Sequence, residues 1–121
     1  MSTSRAGVST HVLDLVSGRP AAGMTIELCK IERLGTATLK TVVTNKDGRT
    51  DEPLLECDDL LVGVYELVFH VGEYFAHQGG DTVRPRFLDK VPIRFGIADH
   101  DAHYHVPLLC SRFAYSTYRG S

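Results

Sequence analysis

Three histidines, an arginine and a C-terminal phenol carry the chemistry open to this chain. His11 lies in Ser9-Thr10-His11-Val12-Leu13-Asp14. His103 and His105 lie in His103-Tyr104-His105-Val106-Pro107-Leu108-Leu109. Arg49 follows the turn Lys46-Asp47-Gly48, and the sequence closes on Tyr118-Arg119-Gly120-Ser121. Imidazole titrates near neutrality, so it can take a proton from water and deliver one to a leaving group. A guanidinium fork can hold the carbonyl oxygens of a planar anion at two points. Chain ends are normally soft and polar, whereas here a phenol, a guanidinium, a hydroxyl and a terminal carboxylate follow directly on a β-prone run.

Each of these residues also has a plainer reading. On spacing alone His11 is an exposed strand histidine and His105 a satisfied structural one. Arg49 is a solvated turn arginine, and Tyr118 and Ser121 are a strand aromatic and a frayed end. The pair His103 and His105 places two imidazoles on one strand face, with His100 and Asp101 just upstream. A zinc site built from that pair and a third ligand is therefore the sharp rival. His70, His77 and His100 read as structural or surface residues. The acidic residues Asp51, Glu52, Glu56, Asp58 and Asp59 read as a solvated loop without calcium-loop spacing. No Gly-x-Ser-x-Gly elbow is present, which argues against a covalent serine mechanism.

The elements that must position these groups are strands. Turn signals recur about every ten residues between runs rich in Val, Leu, Ile, Thr, Tyr and Phe, the pattern of an all-β sandwich or barrel. Strands are predicted at 8–14, 24–33, 39–45, a short 49–51, 63–71, 89–96, 102–109 and 113–118. One short helix is predicted at 73–78, stopped by Gly79-Gly80, with a loop at 81–85. Strand side chains alternate faces. His11 and Leu13 therefore share a face, as do His103, His105, Pro107 and Leu109, and as do Ser116, Tyr118 and Gly120.

Composition bounds the rest. A chain of 121 residues is one domain, 1–121, able to bury roughly two-thirds of its unfolded surface. A net charge of −2 leaves no nucleic-acid footprint, and no apolar run approaches the ~20 residues that span a bilayer. Met1 to Gly7 is small and polar, without the apolar centre of a secretory signal, so a cytoplasmic location is expected. Three cysteines, Cys29, Cys57 and Cys110, make an odd number with no Cys-x-x-Cys pair. They give neither a disulfide framework nor a four-cysteine zinc site. Cys29 and Cys110 read as small buried hydrophobes.

Four stretches carry a resemblance: 9–14 with Gly18-Arg19-Pro20-Ala21 behind it, Thr44 to Thr50, His103 to Leu109, and Tyr115 to Ser121. Together they resemble the 5-hydroxyisourate hydrolases, or transthyretin-related proteins, from about Val8 to Ser121. The resemblance implies the transthyretin fold, two four-stranded sheets face to face with a short helix after the fifth strand. It implies a homotetramer with sites in a channel at the dimer–dimer interface, and neither cofactor nor metal. The implied reaction is metal-independent opening of a cyclic amide of 5-hydroxyisourate, the unstable product of urate oxidation, to 2-oxo-4-hydroxy-4-carboxy-5-ureidoimidazoline.

The implied catalytic residues are His11, Arg49, His105, Tyr118 and Ser121, with His11, Arg49, His105 and Tyr118 binding substrate. His103 and Arg119 are left in supporting or incidental places. The alternative is a transthyretin-like carrier of a small aromatic ligand. The histidine and tyrosine types lining the channel argue against it, because an apolar ligand wants an open apolar slot. Two positions depart from the family pattern: Arg112, where proline is frequent, and Cys110, where an aliphatic residue is usual.

Overall fold

The computed structural model describes residues 6–79 and 83–121. The expectations for Met1 to Arg5, for Gly80 in the helix stop and for Asp81 and Thr82 in the following loop lie outside the described residues.

Among the described residues nine strands and one α-helix follow in chain order: β1 (Gly7–Asp14), β2 (Arg19–Pro20), β3 (Thr25–Glu32), β4 (Gly35–Val43), β5 (Leu55–Glu56), β6 (Gly63–His70), α1 (Val71–His77), β7 (Lys90–Ile97), β8 (His103–Cys110) and β9 (Tyr115–Thr117). A 3₁₀ turn, Cys57–Asp59, separates β5 from β6. One sheet runs β2-β1-β8-β9 with β5 alongside β1, and the other runs β4-β3-β6-β7. The two-residue strands β2 and β5 are too short to leave a period-two signal, and they bring the first sheet to five strands. The core between the layers takes Val8, Val12, Val106 and Leu108 from the first sheet and Ile26, Leu28, Leu67, Phe69 and Val91 from the second. Fully burying each such side chain contributes about 1.5–3 kcal/mol.

The strand predicted at 49–51 does not form; these residues follow the turn at 46–47 as bends and irregular backbone. Asn45 is the reason. Its Oδ1 accepts from the backbone of Asp47 at 2.9 Å and Arg49 at 3.2 Å, and its own N–H donates to the Arg49 carbonyl at 2.8 Å. Side-chain and turn bonds thus occupy backbone groups that a ladder would need. The predicted 39–45 strand begins earlier, at Gly35, because Thr36 and Ala37 pair with Ile31 and Lys30 across a tight hairpin. Val71, placed at the end of a strand from sequence, instead opens α1.

Helix α1 ends at a glycine in the left-handed region, Gly79 at φ 95°, as helix stops commonly do. Arg112 completes that end. Its Nη2 donates to the carbonyls of Phe75 at 3.2 Å and Gly79 at 2.9 Å, and its guanidinium sits 5.4 Å from the Phe75 ring centre. Arg112 therefore closes the helix C-terminus, where a cation is favoured. Buried Asp14 locks the helix from its other side: Tyr74 Oη donates to Asp14 Oδ2 at 2.8 Å, and the Val16 and Ser17 backbones donate to Oδ1. Cys110 lies beside this pair, its thiol pushed up to about 12 by burial and then by the Asp14 charge. It is a core filler and a poor nucleophile. Cys29 is buried as well, and Cys57 is exposed.

Candidate functional site

The site forms on the outer face of the first sheet because β1 and β8 pair in parallel, in the register Ser9↔His105 and His11↔Pro107. The inner pleat holds Val8, Thr10 and Val12, all buried, and Thr10 Oγ1 donates to the Val106 carbonyl at 2.6 Å. Register and alternation together put Ser9, His11, His103 and His105 on one surface.

The C-terminus joins the same surface. Strand β9 pairs Leu108↔Thr117 and Leu109↔Ser116, and beyond it an isolated bridge joins His105↔Gly120. The two registers agree, so Pro107 faces Tyr118 across the gap. Pro107 has no N–H to give the ladder, which accounts for the break. Its carbonyl still accepts from Thr117 Oγ1 at 2.7 Å, and pairing resumes where Gly120 N donates to the His105 carbonyl at 2.8 Å. Arg119 points to the opposite side of the pleat. It donates to the His103 carbonyl at 3.1 Å and lies 4.3 Å over the Tyr104 ring. These bonds hold Tyr118 and Ser121 near β8 although both side chains are exposed.

His105 is the centre. Its Nδ1 lies 2.8 Å from Ser9 Oγ on the β1 side. On the β9 side the ring edge lies over Gly120, where an added Cβ would sit 2.5 Å from Cδ2. The imidazole thus stands between Ser9 and Gly120 with its far edge, Cε1 and Nε2, turned away from the sheet. Burial holds its pKa below the ordinary histidine value, and the charges of Arg49, His103 and His11 depress it further, in that order. His105 is therefore a neutral, basic nitrogen presented to solvent at neutral pH.

Arg49 enters from the far side of β1. Gly48, at φ 74°, passes so close that an added Cβ would fall 2.5 Å from the Val12 carbonyl, and its own carbonyl accepts from Val12 N at 2.8 Å. Only glycine fits that approach. It fixes Arg49 at the level of His11, near enough for its charge to act on His105.

The sequence reading singled out His11, Arg49, His105, Tyr118 and Ser121. The structure brings His11, Arg49 and His105 onto one surface, with Tyr118 across from Pro107 and Ser121 one residue past the Gly120 bridge. The structure adds two positions to these: in the sequence Ser9 shows only its place two residues before His11, and Gly120 only its place on the face of Tyr118. His103 Nε2 and His105 Nδ1 both turn to Ser9 Oγ, at 3.0 and 2.8 Å. Among the described residues no three His, Cys, Asp or Glu side chains converge as metal ligands. His70 bonds Glu27 on the other sheet, and His100 pairs with Asp101 on the surface.

Residues 8–120 match the model of the HIUase/Transthyretin family. The chain is similar to 5-hydroxyisourate hydrolase 2 of Rhizobium meliloti (strain 1021), at 54% identity over 114 residues, 94% of this chain and 95% of the relative. Among solved structures it is similar to (S)-allantoin synthase at a TM-score of 0.88 and 43% identity. That likeness covers 98% of this chain, which spans 44% of that protein. It is also similar to transthyretin from Sparus aurata, at a TM-score of 0.83 and 26% identity, covering 96% of this chain and 97% of that one.

Proposed function

Given that the chain belongs to the HIUase/Transthyretin family, we propose that it is a 5-hydroxyisourate hydrolase acting in urate degradation as one transthyretin-like domain over residues 1–121. The observation that carries this reading is His105, a neutral imidazole with its pKa held down by burial and three neighbouring bases, fixed on both ring edges and open at Nε2. Such a group is suited to general-base work near neutrality.

In this reading His105 Nε2 takes a proton from a water oriented by His11. The water oxygen bonds to the ring carbonyl carbon, and the carbonyl electron pair moves onto its oxygen. Arg49 binds the ring oxygens and stabilises that charge. Collapse breaks the C–N bond, and the proton held on His105 passes to the leaving nitrogen. Tyr118 and Ser121 position the substrate and screen bulk water.

The face is open on a single chain, whereas water attack on a bound anion needs walls that exclude bulk solvent. A homotetramer in which two such faces meet at the dimer–dimer interface supplies them, and it is part of the proposal. The three unpaired thiols suit a reducing compartment, and a cytoplasmic site of action belongs to the same reading. No helix among the described residues is long and apolar enough to cross a membrane.

The test is ultraviolet absorbance after the protein is added to 5-hydroxyisourate freshly made by urate oxidase, beside a version lacking Tyr118 to Ser121. Decay above the spontaneous rate, lost on truncation, supports the hydrolase and the place of the C-terminus in its site. No acceleration by folded protein rejects it in favour of a carrier of a small aromatic ligand.

A further inference from the structure

Ser9 Oγ lies between two imidazoles, 2.8 Å from His105 Nδ1 and 3.0 Å from His103 Nε2. A hydroxyl has one proton, so between two ring nitrogens it donates to one and accepts from the other. Two arrangements satisfy all three groups. In one, His105 carries its proton on Nδ1 and donates to Ser9, and Ser9 donates to His103 Nε2. His105 Nε2 then has a bare lone pair turned away from the sheet. In the other the chain of bonds reverses. Ser9 donates to His105 Nδ1, and His105 carries its proton on Nε2, where it has nothing left to accept with. The two differ by one proton position on each ring and by one rotation of the hydroxyl.

We propose that Ser9 is a positioning residue for the hydrolysis, a hydroxyl relay from His105 Nδ1–H to Ser9 to His103 Nε2 that holds His105 in the tautomer with Nε2 free. This rests on the hydrolase reading with His105 as its base. The fold gives the relay no slack. Ser9 is fixed opposite His105 by the β1–β8 register. A flip of the imidazole would carry Nδ1 from Ser9 to Gly120, which has no side chain to meet it. When His105 takes the water proton at Nε2, its Nδ1–H already points at an acceptor, so the imidazolium forms without a bond having to turn round. The outer position of each ring is thus coupled to the other, as the second partner of a ligand histidine sets its tautomer in metal sites. A serine here does for a base what a carboxylate does in a catalytic triad, without adding a charge beside a substrate that is itself an anion.

The test uses the full-length protein, Ser9→Ala and Ser9→Thr, read by turnover of freshly made 5-hydroxyisourate and by ¹⁵N signals of the His105 ring. Ser9→Ala should lower kcat about tenfold with KM within about twofold, the loss of one hydrogen bond felt in the reacting state. Ser9→Thr, which keeps the hydroxyl, should restore it. The wild-type His105 signals should show the proton on Nδ1, and Ser9→Ala should show a mixture. Unchanged kcat in Ser9→Ala, or a wild-type ring protonated on Nε2, overturns the proposal. An inactive wild type sinks the hydrolase reading instead, and the ¹⁵N result then still reports whether the relay exists.

Discussion

Gly120 lies beneath the His105 imidazole, donating to its carbonyl at 2.8 Å and leaving no room for a Cβ, which would fall 2.5 Å from Cδ2. The backbone of Gly120 does not need glycine's freedom, since it is absent from the positive-φ positions. Its want of a side chain serves the ring above it. Gly120→Ala should tilt the imidazole off Ser9 and cost about a hundredfold in kcat/KM, while the melting temperature of the protein stays close to wild type. Steady-state kinetics beside a thermal melt at matched concentration checks both halves.

His105→Ala and Arg49→Ala should each remove most turnover while the assembly seen by sedimentation is unchanged. Arg49→Lys should recover little, since an ammonium offers no planar fork. Near-normal rates in either alanine variant would sink the role given to that residue.

The pH dependence follows from the depressed pKa of His105. Burial and the neighbouring Arg49, His103 and His11 disfavour the imidazolium, so the base form persists below the ordinary histidine value of about 6.5. The acidic limb of kcat/KM should lie under that value. Removing the Arg49 cation relieves part of the repulsion, so in Arg49→Met the His105 pKa should rise. An NMR titration of the ring in both proteins measures the direction even where turnover is gone.

Asp14 gives a second pH effect of opposite kind. Burial pushes its carboxyl up, but the Tyr74 hydroxyl and the Val16 and Ser17 bonds outweigh burial and leave it below its ordinary value. The folded state thus binds its proton less readily than the unfolded one. This stability is in place above about pH 4 and is lost as pH falls through the lower folded value. Tyr74→Phe should cost about 1–3 kcal/mol at pH 7, and the gap from wild type should narrow near pH 3. Urea denaturation at the two pH values tests it.

Dialysis against a strong chelator should leave turnover unchanged. A loss that zinc restores would bring back the metal reading of His103 and His105.

Much of this was legible in the sequence, and the limits have physical causes. Period-two alternation sorted His11, His105 and Tyr118 onto outward faces, because alternation is a local property of a strand. That β1 and β8 are parallel neighbours is a long-range fact with no local trace, and with it went the partnership of Ser9 and His105. The strand expected at 49–51 failed where the Asn45 side chain captured the backbone, and β2 and β5 were too short to show. The value of Gly120 lay in the ring of a residue fifteen positions earlier, which no pattern around Gly120 announces.

The parallel pairing of β1 with β8 has a consequence for how the protein is made. Ser9 and His105 stand 96 residues apart, so at a synthesis rate of roughly 5–20 residues per second the first strand waits on the order of 5–20 s for its partner. During that wait β1 offers an unpaired edge with Val8 and Val12 uncovered, the kind of surface that invites wrong partners. The nascent chain is thus most in need of shelter along β1. Slowing translation ahead of His103 should raise the yield of aggregate before it lowers the specific activity of what folds.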